Sequence, residues 1–221
     1  MKRKVVLYDF DKTVVDCESI FKLYKYALIH KKINLFTTIL KFIYSFILSK
    51  IKRNFKIMKN EMASVIKYFS EDELKAFVTE YLYPKYFFEE FYEEFNAHSD
   101  AIRVLCSASA TNYLKYVAEI FPFDYIIGTD LDENFKILKE NNKKNIKVKN
   151  IKEIFEKENI EIDYENSRGY SDSYKDDKYM LSLVEKKFLI NSKVNKKGYK
   201  NLKWKRKNWG NTSAFLFIHF K

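Results

Sequence analysis

The sequence predicts an α/β fold: a parallel sheet interrupted, just after its first strand, by a helical insertion of about 80 residues. Three observations predict it. A short continuous β-rich run, Val5–Phe10, stands near the N-terminus. Residues 17 to about 99 then carry helical apolar spacing with no convincing strand. Beyond residue 100, four more β-rich runs alternate with helical stretches, and that alternation implies parallel strands joined by right-handed crossovers.

The elements follow in order. Val5–Phe10 has the unbroken apolar character of a strand buried on both faces. Ser70-Glu71-Asp72-Glu73 is a capping-box pattern that opens a helix through Leu74, Phe77, Val78 and Leu82, and Pro84 ends that helix or starts the next. Phe87, Phe88, Phe91 and Phe95 recur at helical spacing with Glu89, Glu90, Glu93 and Glu94 opposite, the signature of a helix packed on a core. Strands are expected at Arg103–Ser107, Tyr125–Thr129, Arg168–Asp172 and Lys187–Asn191, with helices over Asn112–Phe121, Ile146–Lys157 and Asp176–Glu185. The core thus takes residues 1–16 and 100–221, and the insertion takes 17–99. From Lys193 the tail reads as basic and polar to about Arg206, and Ser213–Lys221 is apolar. An edge strand, a membrane contact and a non-native extension are all open for that last run.

Bulk properties narrow the partners. A chain of 221 residues holds one large core, or one core with a small inserted unit. Its net charge of +11 favours anionic partners. Arginine, the main reader of base edges, occurs only at positions 3, 53, 103, 168 and 206, which argues against specific nucleic-acid recognition. Cys17 and Cys106 have neither metal nor redox spacing, as suits small buried residues in a reducing compartment, and His30, His98 and His219 lack evident partners. The N-terminus turns acidic too quickly for an export signal. A cytoplasmic chain is expected, membrane-associated if Ile33–Leu48 touches a bilayer. That run, INLFTTILKFIYSFIL, is short of the roughly 20 residues of a spanning helix and is flanked by Lys31, Lys32, Lys50, Lys52 and Arg53. It reads either as a buried helix of the insertion or as a helix that dips into one leaflet. Oligomeric state is not legible.

The chemistry concentrates at strand ends, where open parallel sheets bind ligands. The first strand delivers Asp9 and Asp11, two carboxylates whose mutual repulsion calls for a compensating cation. Later strands deliver Ser107, and then Asp172 with Ser173, followed by Asp176 and Asp177, the latter expected as a solvated helix-start acid. A hard dication such as Mg²⁺ suits an all-oxygen site, and Mn²⁺ suits it as well. Asp9 is then placed to act as a nucleophile and Asp11 as a general acid. Ser107 and the backbone N–H groups after it, beginning with Ala108, suit phosphoryl oxygens.

These residues resemble a known family. Asp9-Phe10-Asp11-Lys12-Thr13-Val14 is similar to the first motif, DxDxT[LV], of the haloacid dehalogenase (HAD) superfamily of phosphatases. Val104–Ser109 resembles its second motif, and Gly169–Asp176 its fourth, in the subgroup that includes phosphoserine phosphatase. The resemblance covers roughly residues 4–192 and implies a Rossmann-like core with a helical C1 cap, and Mg²⁺-dependent phosphomonoester hydrolysis. It implies that Asp9 forms an aspartyl-phosphate and that Asp11 serves as acid and then base. It also implies that the Asp11 carbonyl, Asp9 and Asp172 hold Mg²⁺, with Thr13, Ser173 and Asp176 supporting. The third motif is a single lysine. Lys147, before Val148, fits best, while Lys143, Lys144 and Lys149 compete, and the glycines usual there are missing.

The substrate is less legible. Glu18, nine residues after Asp9, stands where phosphoserine phosphatases carry a glutamate, and Arg53 is the insertion's only arginine. The chain is also similar to bacterial phosphatidylglycerophosphatases of the same subgroup, which carry an early apolar stretch and a GYSDS motif. A small phosphorylated metabolite such as phosphoserine and a phospholipid head group such as phosphatidylglycerol phosphate both stay open. A basic nucleic-acid-binding protein and an inactive scaffold are the competing classes. The first lacks a binding motif, and the second is disfavoured because every key acid is present.

Overall fold

The computed structural model describes residues 2–206, so the apolar run Ser213–Lys221 lies outside the described residues. The chain opens with β1 (Lys2–Arg3) and β2 (Val5–Tyr8) and passes into helical elements α1 (Ser19–Ile29), α2 (Leu35–Ile51), α3 (Lys56–Ala63), α4 (Glu71–Ala76), α5 (Tyr83–Tyr86) and α6 (Glu89–Asn96). It then returns through β3 (Ile102–Ala110), α7 (Thr111–Leu114), β4 (Tyr125–Thr129), α8 (Asn145–Lys157), β5 (Glu161–Ile162), β6 (Arg168–Ser171), α9 (Tyr174–Leu181), β7 (Lys186–Ile190) and β8 (Tyr199–Leu202). Six strands form one sheet in the order β4-β3-β2-β6-β7-β8, and β1 pairs with β5 apart from it. Every pairing in the six-stranded sheet is parallel.

β2 is buried along its whole length because alternate side chains serve opposite faces. Val6 and Tyr8 join a cluster with α1, α4, α6 and α7, while Val5 and Leu7 join one with α8 and α9. Tyr8 and Tyr170 are register partners whose rings stack at 5.0 Å, and Phe188 extends the stack at 4.9 Å. Phe91 of the expected aromatic stripe meets Tyr8 edge-on at 5.4 Å, so α6 packs on the sheet. The capping box forms as read: Ser70 accepts from the Glu73 N–H, and the Glu73 carboxylate accepts from the Ser70 N–H.

Several elements differ from expectation. The helix expected over Asn112–Phe121 is one α turn followed by a 3₁₀ segment, Lys115–Glu119, although its inward residues Tyr113, Leu114 and Val117 are buried. The helix expected from Asp176 begins at Tyr174, capped by the Ser173 hydroxyl. Within the basic tail, β8 adds an edge strand to β7, and Trp204 beyond it is buried against Tyr170 and Phe88. A buried Ile33–Leu48 helix is not what forms. In α2 only Ser45 and Ser49 are buried, and most of its large apolar side chains are exposed. No helix among the described residues is long and apolar enough to cross a membrane.

The contact of β4 with the end of β3 tolerates little change, because it packs against the residues that follow Ser107. A Cβ on Gly128 would lie 2.6 Å from Thr111 Oγ1, 2.8 Å from its backbone nitrogen and 2.9 Å from the Ser109 carbonyl. Gly128→Ala is expected to cost about 1–3 kcal/mol, as overpacking does. Urea unfolding measures it, and an unchanged midpoint would show that the backbone there yields freely.

Candidate active site

The register of the three central strands sets the site. Tyr8 lies level with Leu105 of β3 and Tyr170 of β6, so the residues just beyond converge on one edge of the sheet. β2 lies between strands reached by connections running in opposite directions, the switch point where open α/β sheets form crevices. Asp9 follows β2, Ser107 lies in β3, and Asp172 follows β6. A cavity of about 340 Å³ is lined there by Asp9, Lys12, Ser107, Lys147, Asp172 and Asp177 among others.

Asp9 is buried, and its backbone N–H donates to the Tyr170 carbonyl at 3.0 Å, which fixes where the side chain starts. The Lys147 ammonium, from the first turn of α8, donates to Asp9 Oδ1 at 2.6 Å. It pairs with Asp177 Oδ1 at 2.7 Å on its other side. Of the competing lysines it is therefore Lys147 that reaches Asp9, while Lys143 pairs with Asp176 at 3.1 Å. Thr13 stitches two strand ends together: its hydroxyl accepts from the Asp172 N–H at 2.9 Å and lies 3.4 Å from Asp9 Oδ2, to which it donates.

Asp177 is a correction. It was expected as a solvated acid at a helix start, yet it is buried and accepts from the Ser171 hydroxyl at 2.6 Å. Because α9 begins two residues earlier than expected, Asp177 falls on its inner face. Asp176, expected to support the metal site, lines the same cavity and pairs there with Lys143, 3.4 Å from the Ser173 hydroxyl. Ser173 caps α9, and its N–H donates to the Ser171 hydroxyl at 2.9 Å.

Asp11 sits to one side of this cluster. Its carboxylate accepts from the Ser19 N–H at 2.8 Å and from the Ser109 hydroxyl at 2.9 Å, and the Ser19 hydroxyl lies 2.8 Å from the Tyr113 hydroxyl. Sequence reasoning did not assign Ser19 or Ser109 a role, since serines next to a motif carry no signal without the fold. Burial pushes the Asp11 carboxyl up to about 6, although Ser19 and Ser109 pull against it. Ser107 is buried, and its hydroxyl accepts from the Ser109 N–H at 3.1 Å. Asn142, also missed, is buried and donates through one amide nitrogen to the Ser107 and Ile127 carbonyls, both at 2.9 Å.

Glu18 is brought to the site but pairs with Lys12, whose backbone takes the left-handed conformation at φ 57°. Arg53 is not brought to it. It is exposed in the turn after α2 and lines neither this cavity nor its neighbour. That neighbouring cavity, about 320 Å³, shares Asp11, Glu18, Ala108 and Lys143 and continues among Ile20, Phe55, Met62, Ala63, Leu131 and Ile137.

The electrostatics fit a hard dication. Carboxylate oxygens of Asp9, Asp172 and Asp177 lie within 4.8 Å of one another. Three carboxylates face one ammonium, which leaves two negative charges in excess when all are ionised. Burial, reinforced by Asp177, accordingly raises the Asp172 carboxyl to about 6. Burial also raises Asp9, against the pull of Lys147. Burial alone would lower the Lys147 ammonium, but Asp9 and Asp177 outweigh it and hold it above its ordinary value. An all-oxygen donor set with a surplus of negative charge is compatible with a hard dication such as Mg²⁺ or Mn²⁺.

Removing the ammonium leaves buried carboxylates without a counter-charge. Lys147→Met is expected to destabilise the metal-free protein by about 3–5 kcal/mol near neutral pH. The sign of its pH dependence follows from Asp9, which burial then raises further. A carboxyl whose folded pKa exceeds its unfolded value contributes stability at low pH that is lost as pH rises. The deficit should therefore change little below about pH 7 and grow as pH rises through about 8, where Asp9 of the wild type ionises and that of the variant does not, read by urea denaturation of variant and wild type at each pH. A deficit that grew on acidification would show that Lys147 does not neutralise Asp9.

Comparison with known proteins bears on the fold and the family. No curated protein matches the sequence. Among solved structures, a protein of unknown function from Bordetella pertussis has a similar fold, with a TM-score of 0.71 at 14% identity over 87% of this chain and 92% of that one. A phosphoserine phosphatase determined as a phospho-aspartyl intermediate analogue gives 0.56 at 18% identity, covering 87% and 88% of the two chains. A phosphoserine phosphohydrolase-like protein from Francisella tularensis gives 0.54 at 14% over 85% and 87%. At such identities the likeness concerns the fold alone. The family model for haloacid dehalogenase-like hydrolases, by contrast, matches residues 6–181, from β2 to the end of α9. That span contains every strand-end residue described above, and the chain belongs to the haloacid dehalogenase-like hydrolases.

Proposed function

We propose that the chain is a phosphomonoester hydrolase that works through a phosphorylated Asp9 with Mg²⁺ held by Asp9 and Asp172. The observation that carries this reading is the meeting of Asp9, Ser107, Lys147 and Asp172 at the ends of three adjacent strands. When bound, Mg²⁺ would offset the charge of carboxylates and phosphate and polarise the phosphoryl group.

The chain's own groups account for the rest. Lys147 favours the ionised form of Asp9 despite its burial, as a nucleophile requires. A carboxylate oxygen of Asp9 attacks phosphorus, and the bond from phosphorus to the ester oxygen breaks. Asp11, raised by burial to about 6, gives its proton to that departing oxygen. The alcohol leaves, and water then attacks phosphorus while Asp11 accepts its proton. The bond from phosphorus to Asp9 breaks, which restores both carboxyl groups and releases inorganic phosphate. The Ser107 hydroxyl and Lys147 are placed to hold phosphoryl oxygens throughout.

The leaving group should lie on the side of Asp11, where the neighbouring cavity is largely apolar. This favours an ester with an apolar portion, such as a phospholipid phosphorylated on its head group, as substrate. A second reading, phosphoserine, draws on the presence of Glu18, Lys59 and Lys143 in the same cavity. Glu18 would then contact the amine and the lysines the carboxylate, with Arg53 playing no part. Mg²⁺-dependent release of phosphate from phosphoserine but not from a phosphorylated amphiphile in mixed micelles would decide for the second reading.

The mechanism is tested with p-nitrophenyl phosphate and Mg²⁺. Asp9→Asn is expected to fold and show background turnover only. Asp11→Asn is expected to lose roughly 10²–10⁴-fold in kcat with an alkyl phosphate, whose poor leaving group needs a proton. With p-nitrophenyl phosphate the first release of p-nitrophenol should be affected much less, whereas steady turnover stays slow because the attacking water still lacks the Asp11 base. Wild-type turnover by Asp9→Asn would remove Asp9 as the nucleophile.

A further inference from the structure

The helix α2 is built inside out. Its residues Thr38, Phe42, Ser45 and Ser49 follow one another at helical spacing and form the inward face, where Ser45 and Ser49 are its only buried side chains. Phe42 meets Tyr24 of α1 at 5.0 Å, and the Ser49 hydroxyl is spent on the Phe46 carbonyl. The opposite half carries Leu35, Phe36, Ile39, Ile43, Ile47 and Ile51, all exposed, with Phe36 at 69% and Ile51 at 73%. A helix on a water-soluble surface turns its apolar stripe inward, so this orientation marks contact with a second apolar medium.

The charge around α2 says which medium. Residues 19–60 contain ten Lys and Arg and no Asp or Glu. Two copies of this chain joined through α2 would bring those cations together, whereas an anionic bilayer surface neutralises them. The helix spans 17 residues and no described helix is fit to cross a membrane, so its geometry suits lying in the interface plane. We propose that α2 is a monotopic docking helix that seats the protein on anionic lipid, apolar half in the acyl boundary and basic flanks among the head groups.

This proposal goes beyond the hydrolase reading and does not depend on it. It also gives the apolar cavity beside Asp11 a setting. Phe55, Lys59, Met62 and Ala63 of its wall come from α3 and the residue before it, just after the C-terminal end of α2. Docking through α2 would therefore bring that wall near the lipid surface.

Flotation of the full chain with vesicles tests it. Vesicles of phosphatidylcholine with phosphatidylglycerol in equal parts should carry the wild type upward, and phosphatidylcholine alone should carry far less. Added salt should weaken the binding. Phe36→Ser/Ile43→Ser/Ile47→Ser should abolish flotation and leave p-nitrophenyl phosphate turnover and the unfolding midpoint unchanged. Lys50→Gln/Lys52→Gln should lower partition roughly fivefold per charge removed. Flotation of the triple serine variant as readily as the wild type would overturn the proposal. So would a wild type that ignores anionic vesicles, including one that forms a dimer which the serine variant dissolves. Because flotation reads binding alone, loss of the Asp9 mechanism would leave this result standing.

Discussion

The contact on which the site depends is that of the Lys147 ammonium with two buried carboxylates, Asp9 and Asp177. A lone carboxylate buried to this degree would take up a proton and cease to be a nucleophile. A lone ammonium there would lose its proton. Held together, the two carboxylates keep the ammonium charged, and the ammonium pulls Asp9 toward its ionised form against burial. The pair also fixes geometry, because it joins the first turn of α8 to the end of β2 and to α9. The Thr13 hydroxyl then sets the β6 end against the β2 end, and the Ser171 hydroxyl ties β6 to α9. The chain thus assembles a charged pocket from separate segments by ordinary sheet register plus one ion-paired hub.

Two kinds of surface meet beside this hub. One cavity is lined by carboxylates and lysines, suited to phosphate, and its neighbour is lined mainly by apolar side chains. Asp11, Glu18, Ala108 and Lys143 belong to both. A bond being cleaved at that boundary would have its charged half on one side and the rest of the molecule on the other. On the proposed reading chemistry and selection are separable: the strand ends would supply the first, and the helical insertion with the loop after β4 the second.

Much of this was legible in the sequence where local rules are strong. β2, β4 and β7 are recognisable because strands buried on both faces need continuous apolar runs, whereas β6, Arg-Gly-Tyr-Ser, carries no such run. Asp9 and Ser107 stood out because each comes after such a run, and Asp172 because it ends the Gly-Tyr-Ser-Asp stretch. β8 was not legible, since Tyr-Lys-Asn-Leu is a half-exposed edge strand with the lysine that edges favour. Asp177 was misread because a shift of two residues in where α9 starts decides which of two adjacent acids faces inward. Asn142 carried no signal at all. An asparagine in a Lys/Asn-rich stretch looks like solvated loop until the fold brings two strand carbonyls to it. The inverted burial of α2 was likewise beyond reach, for the same apolar run is compatible with a core or with a lipid surface.

Asn142 has a consequence for how such a chain can vary. Its side chain bridges the Ser107 and Ile127 carbonyls, its N–H donates to the Thr129 hydroxyl at 3.0 Å, and Asn150 of α8 donates to its Oδ1 at 3.1 Å. The chain is thereby re-anchored to β3, β4 and α8 just before it delivers Lys147. The loop from Asp130 to Asn141, which contributes Leu131 and Ile137 to the apolar cavity, lies upstream of that anchor. It can lengthen, shorten or exchange residues without displacing the ammonium. Asn142 therefore works as a mechanical stop that insulates the reacting groups from change in a neighbouring loop, leaving selectivity free to drift while the catalytic constellation stays in place.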